Sequence, residues 1–92
     1  MDPAPETYAR APRCVFRWLR GTVLIARPGL EPNRIEGAAA LTWQALAEPG
    51  TAAEVEERIA ATWIGLPPAE PGLVLESIEV LVGGGLVTAG KR

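Results

Sequence analysis

The chain changes period at Gly37. Ahead of it stand two runs of β-branched and aromatic residues, Val15-Phe16-Arg17-Trp18-Leu19 and Thr22-Val23-Leu24-Ile25-Ala26, separated by Arg20-Gly21. Such runs suit a pleated, half-buried surface, and a two-residue glycine turn between them predicts a hairpin. Arg27-Pro28-Gly29 is a second turn signal. A third short strand fits residues 32–36, with Ile35 inward and Pro32 favouring an edge, because proline cannot donate to a ladder. The first third therefore predicts a three-stranded antiparallel meander.

Beyond Gly37 every periodic segment is helical. Ala39, Trp43, Leu46 and Ala47 fall on one stripe, with Leu41 and Ala45 beside it, which predicts a helix over 38–47. Pro49-Gly50 stops it. Thr51-Ala52-Ala53-Glu54 is a capping box, in which the Thr51 hydroxyl accepts from the N3 amide while Glu54 reaches back. A second helix follows over 52–63, with Val55, Ile59 and Thr62/Trp63 inward and Glu54 four residues before Arg58, the spacing of an exposed ion pair. Pro71 suits the first turn of a third helix reaching Val82, with Val74, Ile78 and Leu81 as its core stripe. Gly83-Gly84-Gly85 ends that helix, and Leu86-Val87 is expected to fold back and close the core.

The order βββααα is that of a small α+β domain of the winged helix-turn-helix kind. Residues 1–12 hold three prolines and few apolar side chains, so they read as a loose arm, with 13–88 as the single domain and 89–92 as a tail. Ninety-two residues allow one modest core.

The inventory of reactive groups is poor. There is no histidine, Asp2 is the sole aspartate and Lys91 the sole lysine. Metal-ligand spacing, a Ser/His or Cys/His pair and a phosphate-binding glycine loop are all missing, so no enzyme activity, metal or cofactor is expected. Cys14 has no second cysteine to pair with and reads as a structural thiol at the start of a strand, in a reducing cytoplasm. No apolar run is long enough for a membrane span, and the N-terminus lacks the layout of a signal peptide. A cytoplasmic protein is expected.

The ordered series Gly21-Thr22-Val23-Leu24-Ile25, Pro28-Gly29, Glu31-Pro32, Ile35-x-Gly37, Ala39-Ala40-Leu41-x-Trp43 and Leu46-Ala47-Glu48-Pro49-Gly50-Thr51 resembles the PqqD-like family. These are recognition elements for ribosomally made, post-translationally modified peptides. The closing pattern Val74, Ile78, Leu81 and Gly85-Leu86 extends the resemblance over about residues 13–88. The chain departs from the family at Glu36-Gly37-Ala38, at Leu73 in place of an aspartate and at Ser77 in place of an aromatic residue.

The resemblance implies a non-catalytic peptide chaperone. A precursor's leader segment would add to the third strand and lie on the third helix, to be presented to a modifying enzyme or leader peptidase. By position, the edge is Pro32, Asn33, Arg34, Ile35 and Glu36, and the facing wall is Leu73, Ser77 and Val80. Leu73 and Val80 lie off the core stripe, so they read either as groove lining or as extra core contacts. A lasso-peptide system and a radical-enzyme system are both compatible, as are a monomer and a weak edge-paired dimer.

Two other classes compete. Winged helices often bind DNA, but residues 71–82 carry Glu76 and Glu79 and no basic residue, which is repulsive beside phosphates. No nucleic-acid partner is therefore expected. An assembly subunit could dock another protein through the same edge. Arg17, Arg20, Arg27 and Arg34 read as solvated sheet residues, with Arg34 alternatively attracting an acidic leader. Trp18, Trp43 and Trp63 read as core.

Overall fold

The computed structural model describes residues 6–62 and 72–91. The fold is α+β, with a small antiparallel sheet followed by three helices. The elements are β1 (Glu6–Arg10), β2 (Val15–Leu19), β3 (Thr22–Ala26), β4 (Asn33–Glu36), α1 (Gly37–Ala45), α2 (Ala52–Thr62), α3 (Leu73–Gly83) and β5 (Val87–Lys91). Trp63 and the loop expected over 65–70 lie outside the described residues.

The meander is present with order β2-β3-β4. Leu19 faces Thr22 across a two-residue loop in which Arg20 and Gly21 both have positive φ, 44° and 82°. That pair of signs is the mirror-image turn whose twist matches two antiparallel strands. Opposed residues share a face, so Val23 and Ile25 align with Ile35 and Asn33 on one side and with Trp18 and Phe16 on the other. Val23, Ile25 and Ile35 are buried and put this face against the helices.

The loose arm expected over 1–12 and the tail expected over 89–92 give way to paired strands where residues are described, 1–5 and 92 lying outside the described residues. Glu6–Arg10 and Val87–Lys91 form an antiparallel ribbon, with Tyr8 opposite Ala89. Glu6-Thr7-Tyr8-Ala9-Arg10 has little apolar patterning, and its order comes from backbone pairing on both sides, with Tyr8 alone of the strand entering the core. The Tyr8 N–H donates to the Gly50 carbonyl at 2.8 Å, and the Gly50 N–H returns to the Tyr8 carbonyl at 3.0 Å. A ladder satisfies the main chain whatever the side chains are, so composition alone does not reveal it.

Helix α1 lies at the centre, against β3, β4, α2 and α3. Ala40, Thr42, Trp43 and Leu46 are all buried while Ala47 is exposed, so burial runs further round the helix than the expected stripe. Gly37 joins β4 to α1 at φ +61°, a left-handed geometry that side chains with a Cβ adopt only at a cost.

The capping box forms as expected. The Thr51 N–H donates to Glu54 Oε1 at 2.9 Å, and the Glu54 N–H donates to Thr51 Oγ1 at 3.2 Å. On α2, Val55 is buried and Ile59 packs partly against the core, whereas Thr62 is exposed. Arg58 turns to α1, donating to the carbonyls of Ala45, Glu48 and Pro49 at 3.0, 2.7 and 3.0 Å.

Helix α3 buries Val74, Ile78 and Leu81 as its stripe predicts. It ends in a reciprocal pair, Leu86 N–H to the Leu81 carbonyl and Gly85 N–H to the Val82 carbonyl, with Gly85 at φ +76°. This is a left-handed helix stop, sealed by burial of both Leu81 and Leu86.

Arg20 is the place to test the hairpin, since it holds a left-handed conformation without being glycine. Arg20→Asn, a residue that tolerates this region, is expected to stabilise the protein by about 0.5–1 kcal/mol, a rise of a few degrees in Tm. An unchanged or lowered Tm in a thermal melt would show that the arginine side chain itself contributes there.

Candidate functional site

The sheet has two outer strands, and among the described residues neither β2 nor β4 pairs on its outer side. An unpaired strand presents a row of N–H and C=O groups to any chain that can extend beside it. Each edge borders a depression of its own.

Beside β4 is a groove of about 310 Å³, lined by Asn33, Arg34, Ile35 and Glu36 on the strand, Ala39 on α1, and Val80, Leu81 and Gly84 on α3, with Leu86 at its end. Its floor is apolar because Ile35, Leu81 and Leu86 belong to the core. Its far wall is Val80, which stays 69% exposed. An exposed valine on an amphipathic helix next to an unpaired strand gives an incoming peptide both backbone partners and an apolar contact. Arg34 and Glu36 lie on the outer face of β4, 3.7 Å apart, and both are well exposed, so their pairing adds little.

The residues expected to bind a peptide divide accordingly. Asn33, Arg34, Ile35, Glu36 and Val80 come together around the groove. Pro32 precedes β4 and is exposed outside the lining. Leu73 is the first residue of α3, two helical turns from Val80, and does not line the groove. Ser77 lies outside the lining and does not face a guest: it is only 6% exposed, and its hydroxyl donates to the Leu73 carbonyl at 3.0 Å. A serine can satisfy its hydroxyl on its own helix, and beside Ile78 that bond lets it sit in the core.

Beside β2 lies a cleft of about 260 Å³ bounded by Arg10, Phe16, Trp18, Trp43, Gln44 and Ala47. Phe16 meets Trp43 edge-on at 5.7 Å. The Arg10 guanidinium sits 4.5 Å from the Phe16 ring centre and 4.7 Å from that of Trp43. Its Nε and Nη2 donate to the Trp43 carbonyl at 3.1 and 2.9 Å, meeting the negative end of α1. Burial draws its pKa below the usual arginine value, with Cys14 opposing. The Trp43 indole N–H and the Thr42 hydroxyl are buried without a hydrogen-bond partner among the described residues. Trp18 is expected in the core but is 38% exposed, lining the open cleft beside Trp43.

Arg10 and Arg27 were not singled out as site residues from the sequence. Arg27 donates to the Gly85 carbonyl and ties β3 to the end of α3, so it is not a free surface cation. Among the described residues, no group of three or more His, Cys, Asp and Glu is placed to hold a metal ion, and no helix is long and apolar enough to cross a membrane. Comparison with family models, with curated proteins and with solved structures returns no match to this chain.

Two protons are held more tightly by the folded chain than in the open. Burial raises the Cys14 thiol above 9.0, against the lowering effect of Arg27 and Arg10. Burial likewise raises the Tyr8 hydroxyl above 10.0, helped by its hydrogen bond to Glu6 Oε2 at 3.2 Å and by the charges of Glu6 and Glu79. A raised acid pKa stabilises the fold below the unfolded pKa, and the stabilisation is lost as pH rises through the folded one. Tm is therefore expected to hold level up to about pH 8.5 and to fall above about pH 9. In Cys14→Ser and Tyr8→Phe the fall should be shallower, and an identical alkaline profile in both variants would contradict the assignment.

Proposed function

We propose that the protein is a non-catalytic binding domain that captures an extended peptide along β4 and against α3. The observation that carries this is the unpaired β4 edge running beside the exposed Val80, with a groove of apolar floor between them. A guest strand of four or five residues would complete the backbone pairing of β4 and set alternate side chains towards Ile35 and Val80. The meander followed by three helices supports a winged helix-turn-helix arrangement, and the resemblance to the PqqD-like family supplies the guest. It is the leader segment of a ribosomally synthesised precursor, handed on to a modifying enzyme or leader peptidase of a lasso-peptide or radical-enzyme system.

DNA binding is disfavoured by charge. Helix α3 carries Glu76 and Glu79 and no basic residue, and α2 carries Glu54, Glu56 and Glu57 against Arg58. Duplex phosphates would be repelled by both surfaces.

A short strand buries less than a standard protein interface, and the leader must be ordered on binding, so the expected Kd is on the order of 0.1–10 µM. The test is a fluorescence-anisotropy titration of labelled leader peptides encoded beside this protein, with a scrambled leader and a DNA duplex as controls. One leader should bind at least about tenfold tighter than its scramble. Val80→Glu should weaken that binding by about tenfold or more with little change in Tm, since the side chain is largely exposed. No neighbouring leader binding above the scramble would sink the proposal.

A further inference from the structure

The β4 groove leaves the opposite edge of the sheet unexplained. Every residue of β2 is exposed, including Val15 at 71%, Phe16 at 45%, Trp18 at 38% and Leu19 at 42%. A five-residue edge strand with four apolar side chains and no proline or lysine invites another strand to pair with it, and folded proteins normally blunt such edges. We propose that β2 and its aromatic cleft are a second docking surface, for an extended acidic and apolar segment of a partner protein.

Charge selects that occupant. Between Thr7 and Leu30 the chain has five arginines and neither aspartate nor glutamate. Arg13, Arg17 and Arg20 are exposed along and beside β2. The Arg10 guanidinium stands in the cleft wall, bonded to the Trp43 and Gln44 carbonyls but with no carboxylate partner among the described residues. A half-desolvated guanidinium gains a strong, charge-assisted partner when a carboxylate arrives.

A second copy pairing β2 with β2 would bring Arg17 and the flanking Arg13 and Arg20 of both copies together, and like charges across a ladder are destabilising. The acidic residues of α2 and α3 lie on helices, which offer no strand edge. The strand β4 balances Arg34 with Glu36 and has Ile35 as its one apolar residue. Single-stranded nucleic acid fits less well. It cannot complete the N–H and C=O row of β2, and a face of Phe16 that a base would need is covered by Arg10.

This surface is independent of what β4 holds. If the leader-binding reading is right, β2 is the side from which the processing enzyme would engage the loaded domain. The test uses neither a leader nor β4, so the two ideas fail separately. The probe is a fluorescein-labelled peptide alternating glutamate with valine and isoleucine, beside the same peptide with lysine for glutamate.

The acidic probe should bind the full chain at least about tenfold tighter than the lysine probe. Trp18→Ser should weaken binding by about tenfold, and so should the paired exposed change Arg17→Glu with Arg20→Glu. Circular dichroism checks the fold of each variant, and the charge-reversed pair serves if Trp18→Ser unfolds.

Four binding results would overturn the proposal, as would self-association through this surface. The four are no binding of the acidic probe at about 1 mM, equal affinity for both probes, full affinity in the folded variants, or preferential binding of single-stranded DNA that Trp18→Ser abolishes. A dimer seen by sedimentation and dissolved by Trp18→Ser would reassign the surface to self-association.

Discussion

The fold depends on how the C-terminal end of α1 is held. That end carries the buried Trp43 and Leu46, and its carbonyls point away from any continuing helix. Unpaired carbonyls at a helix end need partners, and arginine supplies several donors together with a charge opposite to the dipole. Arg10 reaches the Trp43 carbonyl from β1, and Arg58 reaches from α2 the carbonyl of Ala45 and those of Glu48 and Pro49 in the turn beyond. These contacts join the terminal ribbon, the central helix and the second helix at one point. The Arg10 guanidinium also lies against Phe16, so β2 is drawn to the same place.

With α1 fixed, the three-stranded sheet has its two edges in different surroundings. The β4 edge faces an apolar groove walled by α3, and the charges on that strand are balanced. The β2 edge borders a cleft shared with α1, its aromatic residues only partly covered and its flanks basic. The pairing chemistry is identical at the two edges, because any strand offers the same backbone groups. What differs between the edges is side chains and charge.

The parts legible in the sequence are those whose signals are local. The Arg20-Gly21 hairpin, the Thr51–Glu54 capping box, the Val74/Ile78/Leu81 stripe and the glycine stop before Leu86 each depend on residues within a few positions of one another. All four are present. The candidate groove was partly legible. The β4 strand and the position of Val80 off the core stripe could be read from pattern, but Ser77 could not be separated from them, since its hydroxyl bonds back to its own helix. Trp18 misled for a related reason, because an edge strand can carry a core-type residue at the side of an open cleft.

The sequence by itself determined the central succession of three strands and three helices, the turns between them and the excess of arginine before Gly37 and of glutamate after it. Tertiary structure decided the β1–β5 ribbon, the arginine caps on α1 and the exposure of β2. Those features arise between segments distant along the chain, through main-chain hydrogen bonds and carbonyl contacts that leave no periodic trace in residue types. The tertiary structure also made one strand edge the side of a groove and left the other beside a basic aromatic cleft.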